Sequence, residues 1–116
     1  MTTPADLPLD LPPERVAKLL ADGAIQVVDV REPYERDAGH IRGSRHVPLE
    51  ELSGAAAAID PAIPVVFVCR VGGRSAMAAA AFVRAGYDAH NLEGGMLAWA
   101  AGGLELEPPG GQVADH

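Results

Sequence analysis

Two short runs rich in β-branched residues, IQVVDV at 25–30 and PVVFVC at 64–69, restrict what this chain can become. Compact apolar runs of this kind belong to strands covered on both faces, as in parallel sheets. Around them lie segments with helical spacing. ERVAKLLADG places Val16, Leu19 and Leu20 on one face and closes on Gly23. EPYERDAGHIRGSRHVPLEEL reads as a short helix, a glycine-punctuated loop, a small strand near His46 and Val47, and a helix begun by Pro48. SAMAAAAFVRAG predicts a helix ending at Gly86, YDAHNL another strand, and EGGMLAWAAGG a turn into a last short helix. The expectation is an α/β domain with a central, mainly parallel sheet and helices on both faces.

A chain of 116 residues with 48% hydrophobic composition is long enough for one domain with a core and too short for two. Residues 1–9 and 107–116, rich in proline and glycine, are expected to be flexible tails around a domain spanning 10–106. The net charge of −7 argues against nucleic acid and anionic membrane as partners. No apolar stretch approaches the roughly 20 residues that span a bilayer, and MTTPADLPLDLPP lacks a basic and an apolar targeting region. A cytoplasmic protein is expected, and the single cysteine, which excludes an internal disulfide, agrees with a reducing compartment.

That cysteine, Cys69, is placed with purpose. In open parallel sheets the ligand crevice lies beyond the carboxyl ends of the strands, and Cys69 stands at that end of VVFV, just before the helix. Gly72 and Gly73 permit a backbone curl that turns N–H groups inward, and the helix start adds partial positive charge. Arg70 and Arg74 add two full charges to an otherwise acidic protein. Such a setting favours thiolate, the nucleophilic form, over an inert buried thiol. Arg36, Arg42, Arg45 and Arg84 read more simply as solvated surface charges.

CRVGGRS, with DVREPYERDAGHIRGSRHVPLEEL upstream and NLEGGMLAW downstream, resembles the single-domain rhodanese (sulfurtransferase) family from about Pro12 to Leu104. The resemblance implies a rhodanese-like fold in which Cys69 accepts a sulfane sulfur, holds it as a persulfide and passes it to a thiol or cyanide. Arg70, Val71, Gly72, Gly73, Arg74 and Ser75 would form the substrate-binding cradle around it. Related cysteine phosphatases and arsenate reductases place five residues between cysteine and arginine. Four separate Cys69 from Arg74 here, as in the sulfur-transferring members. In the family a basic residue after the cysteine, as Arg70 is, goes with thiosulfate-type donors.

The same resemblance puts Asp29 and Arg31 near the loop as braces, Asp29 receiving loop N–H groups and Arg31 pairing with a carboxylate such as Glu35, since buried charges need partners. His40 is expected to fix its loop rather than act as a base, because an activated thiolate needs none, and the four histidines show no zinc spacing. Trp99 reads as core or pocket wall, and Gly94 and Gly95 as the turn carrying the last helix past the loop. No metal or cofactor is expected. The partners are a small anionic sulfur donor and an external acceptor, a thiol, cyanide or protein, since no second cysteine can resolve a persulfide. Two functions remain: an enzyme turning over thiosulfate or another sulfane donor, and a persulfide carrier that docks on a protein acceptor.

Overall fold

The structure, a computed structural model, describes residues 7–115. Five strands, β1 (Asp10–Leu11), β2 (Gln26–Asp29), β3 (Arg45–His46), β4 (Val65–Val68) and β5 (Ala89–Leu92), form one sheet in the order β1-β5-β4-β2-β3. Every pairing between them is parallel. The helices are α1 (Pro13–Ala21), α2 (Pro33–Ala38), α3 (Leu52–Ala55), α4 (Gly73–Arg84) and α5 (Gly95–Ala101). Short 3-10 turns at Leu49–Glu51 and Ala56–Ala58 flank α3, so the segment after Pro48 is a broken helix rather than one continuous one.

The alternation of β4 explains the two-sided burial. Val65, Phe67 and Cys69 point into a cluster with Leu52, Ile59, Ala78, Ala79 and Phe82, beneath α3 and α4. Val66 and Val68 point the other way, into a cluster with Val16, Ile41, Met96 and Trp99, beneath α1 and α5. β2 divides likewise, Val28 to the first face and Val27 to the second. Among the described residues, no helix is long and apolar enough to cross a membrane.

β1 was not legible as a strand: its two residues pair only with β5, Asp10 opposite Asn91 and Leu11 opposite Leu92. Leu7, Pro8 and Leu9, expected within a loose tail, are also engaged. Leu7 packs on the second cluster, the Leu9 carbonyl accepts the Asn91 N–H, and the Pro8 carbonyl lies 2.7 Å from His90 Nδ1. Residues 1–6 of that expected tail lie outside the described residues.

The expected C-terminal tail is pinned as well. His40 and Glu107 exchange two backbone hydrogen bonds, the Gln112 N–H donates to the Ala38 carbonyl at 2.8 Å, and Val113 packs on the second cluster. Gly39 makes this approach possible, because a Cβ there would lie 2.6 Å from the Gln112 carbonyl oxygen and 2.9 Å from its nitrogen. Gly39→Ala is therefore expected to lift residues 107–115 from the domain, at a cost of about 1 kcal/mol. Limited proteolysis with mass detection should show new cleavage confined to that segment. An unchanged cleavage pattern would contradict the docking.

Candidate active site

The sheet order reverses direction between β4 and β2: the chain leaves β4 for β5 on one side and β2 for β3 on the other. A crevice is expected at such a switch point. Cys69 directly follows β4 there, Val68 pairs with Asp29 at the end of β2, and the next residue, Val30, donates its N–H to the Val68 carbonyl at 2.9 Å.

Cys69 is 1% exposed, and its sulfur faces a set of donors. The Gly72 N–H lies 3.1 Å from Sγ, the Ser75 N–H 3.4 Å and the Ser75 Oγ 3.2 Å. Burial pushes the thiol up. Hydrogen bonds from the Ser75 hydroxyl and from the Ser75, Gly72 and Val71 N–H groups outweigh it, and Cys69 is held below the ordinary thiol value.

The loop takes this shape because α5 holds its carbonyls. The Met96 N–H donates to the Cys69 carbonyl at 2.8 Å and the Leu97 N–H to the Arg70 carbonyl at 3.0 Å. In a trans peptide the carbonyl and the following N–H point in opposite directions, so drawing the Arg70 carbonyl toward α5 turns the Val71 N–H toward the sulfur. Gly95 permits the contact: its φ is 61°, and a Cβ would lie 2.5 Å from both carbonyl oxygens. Gly72, at φ 105°, makes the turn into α4. Gly73, expected to share that curl, is instead the first helical residue and is not in the left-handed region.

The arginines depart most from expectation. Arg74 does not stand free beside the sulfur. It makes two hydrogen bonds to Glu35, 2.9 Å to Oε1 and 3.0 Å to Oε2, and Glu35 is fully buried. Those bonds raise the Arg74 pKa against the effect of burial, the charges of Glu35, Cys69 and Glu32 adding to the rise. Arg70 pairs with Asp115 at 3.1 Å, and that carboxylate is 98% exposed. Arg31, expected to pair with a carboxylate such as Glu35, pairs with that of Asp29. Arg31, fully buried, meets Asp29 twice, Nε to Oδ1 at 2.9 Å and an Nη to Oδ2 at 2.7 Å, and also donates to the Gly39 carbonyl. Asp29 accepts the Arg31 backbone N–H at 3.1 Å. Arg36, read as a surface charge, bends inward to Ser44 and toward Asp29.

His40 is bound within its loop, Nδ1 lying 3.2 Å from the Arg36 carbonyl. Among the described residues no group of three or more histidine, cysteine, aspartate or glutamate side chains could hold a metal ion. Trp99 is buried and donates its indole N–H to the Glu105 carbonyl. Asn91, which sequence reasoning passed over, lies 2.5 Å from Ser75 Oγ through its Oδ1. An amide inside the short strand-like run YDAHNL was the available signal.

A buried cysteine at the switch point of a parallel sheet, ringed by the amides of a short loop, marks the rhodanese-like proteins, and residues 12–102 match that domain family: the chain belongs to it. Among its relatives, the thiosulfate sulfurtransferase GlpE of Pseudomonas aeruginosa is 43% identical over 88 residues, covering 75% of this chain and 79% of that protein. GlpE of Pseudomonas fluorescens is 39% identical over 90 residues, covering 77% and 82%. A rhodanese-related protein from Thermoplasma volcanium superposes with a TM-score of 0.79 at 27% identity, covering 84% of this chain and 95% of that one.

Two substitutions separate the roles of the loop. Ser75→Ala removes one hydrogen bond to the thiolate and should raise the midpoint of the iodoacetamide rate–pH profile by about one unit, with a stability loss of about 1 kcal/mol because the buried Asn91 oxygen loses its donor. Arg74→Ala should destabilise the fold by about 3 kcal/mol in urea unfolding, because buried Glu35 loses both guanidinium bonds, while moving the midpoint less. A large midpoint shift in Arg74→Ala with unchanged stability would reverse the assignment. Since the folded-state thiol titrates below the unfolded one, the folded chain should stay open to alkylation at lower pH than the unfolded chain, its reactivity falling only as pH drops through the lowered value.

Proposed function

We propose that this chain is a thiosulfate sulfurtransferase in which Cys69 carries the transferred sulfur. The observation that supports this reading is the convergence of three N–H groups and one hydroxyl on the Cys69 sulfur, in a chain related to GlpE thiosulfate sulfurtransferases. In the first half-reaction the thiolate attacks the outer sulfur of thiosulfate. A new S–S bond forms on Cys69, the S–S bond of thiosulfate breaks, and sulfite leaves with the electron pair. The inward N–H groups stabilise negative charge on the sulfur and on the incoming donor. In the second half-reaction an external nucleophile, cyanide or a thiol, attacks the terminal sulfur. The Cys69–sulfur bond then breaks and its electrons return to Sγ as thiolate. Departure is eased because this thiolate is well solvated by the loop.

Arg70 is the guanidinium available to meet an anionic donor, since its partner Asp115 is solvent-exposed and an exposed ion pair is worth little. Arg74 is committed to Glu35 and serves as a strut between α4 and α2. This commitment, with only four residues between Cys69 and Arg74, weighs against a phosphatase or arsenate reductase, which would need the loop arginine for a tetrahedral oxyanion. Val71, Met77 and Leu97 are exposed on or beside the loop segments, which keeps a protein acceptor in view as the second reading.

Incubation with thiosulfate should add one sulfur atom to the intact mass, cyanide should remove it as thiocyanate, and Cys69→Ser should abolish both. Failure to form an adduct with any sulfane donor would overturn the reading. Arg70→Ala should raise the KM for thiosulfate several-fold more than for an uncharged persulfide donor. Equal losses would assign Arg70 to loop structure instead.

A further inference from the structure

The Ser75 hydroxyl carries one proton and has two acceptors. Sγ of Cys69 lies 3.2 Å from Oγ and Oδ1 of Asn91 lies 2.5 Å from it. Ser75 is fully buried and Asn91 nearly so. The amide of Asn91 is not free to choose its orientation, because its other end lies 3.0 Å from a carboxylate oxygen of Asp10 on β1. A carboxylate only accepts, so the NH2 group must face Asp10 and the carbonyl oxygen must face Ser75.

We propose that Asp10 and Asn91 are positioning residues: Asp10 fixes the Asn91 amide with its oxygen toward Ser75, and that oxygen competes with the Cys69 sulfur for the single Ser75 proton. The competition depends on the state of the sulfur. An anionic Sγ draws the hydroxyl, since hydrogen bonds to charged acceptors are the stronger ones. A neutral Sγ, as thiol or as the inner atom of a persulfide, releases it to Asn91. The Gly72 and Ser75 N–H groups stay on the sulfur throughout. Asn91 thus supports the neutral, loaded sulfur relative to the bare thiolate and limits how far the loop lowers the thiol's pKa. Other charges near the loop are already paired: Arg74 with Glu35 from α2, Arg70 with Asp115, Arg31 with Asp29 from β2, and His90 of β5 lies against Asp88.

The inference rests on Cys69 being the reactive sulfur of the proposed function, but its test needs no sulfur donor, so failed thiosulfate turnover would not decide it. The measurement is the midpoint of iodoacetamide alkylation against pH, with circular dichroism to confirm folding. Asp10→Asn frees the amide to reverse, whereupon its NH2 donates to Ser75 Oγ and the hydroxyl commits to Sγ. The midpoint should fall by about half a unit to one unit, a three- to tenfold gain in thiolate at acidic pH. The double variant Asp10→Asn/Asn91→Asp keeps net charge and size while facing Ser75 with a stronger acceptor, and its midpoint should rise by a similar amount. The Asp10→Asn shift should vanish in a Ser75→Ala background and should persist at high salt, where the field of an exposed carboxylate is screened. An unchanged midpoint in Asp10→Asn overturns the proposal. So does an Asp10→Asn shift of equal size with and without Ser75, or one lost at high salt, which would reduce Asp10 to a charge acting through space.

Discussion

The grip of α5 on two carbonyls of the Cys69 loop is the contact on which the site depends. With the Cys69 and Arg70 carbonyls held by the Met96 and Leu97 N–H groups, the loop cannot relax its curl without breaking both bonds. The contact is possible only because residue 95 has no side chain and occupies the left-handed region. The sulfur environment is therefore set from behind, by a helix that holds the carbonyls of the loop.

This changes the electrostatic account. Two arginines bracket the glycines of CRVGGRS, and positive charge is the obvious agent of thiolate stabilisation. In the folded chain both are engaged with carboxylates, and although the charge of Arg74 reaches the sulfur, the hydrogen-bond dipoles of Ser75, Gly72 and Val71 lead in holding its pKa down. Dipoles fixed by the backbone have a practical advantage in a buried site: they stabilise an anion without importing a counter-charge that must itself be desolvated. The strong ion pairs lie one layer out, where Glu35–Arg74 joins α2 to α4 and Asp29–Arg31 joins the end of β2 to the Gly39 loop.

Much of this was legible in the chain. The runs 25–30 and 64–69 gave β2 and β4 because uninterrupted β-branched residues admit few other fates, and the Gly-Gly punctuation located the turns that follow Cys69 and Leu92. The partners of buried charges were not legible. Glu35 lies four residues from Arg31 and 39 from Arg74, and only the three-dimensional path of α2 decides between them. β1 and the C-terminal segment were missed for a related reason: short, proline-rich stretches carry no periodicity, and their order comes from the surfaces they meet. Asn91 escaped notice because a strand assignment says nothing about which buried amide faces which hydroxyl.

The register of β1 with β5 has a consequence for how the molecule is made. Asp10 and Asn91 are 81 residues apart, so the edge strand finds its place only after almost the whole sheet has been synthesised. Contacts of such long sequence separation close late, because the entropy of the intervening chain must be lost first. A ribosome-bound chain that has exposed β4 already carries Cys69, yet lacks β5, α5 and the docked β1. Its thiol at that stage lacks the carbonyl grip of α5 that turns the loop N–H groups inward, and the lowered pKa of Cys69 comes with the completion of the fold.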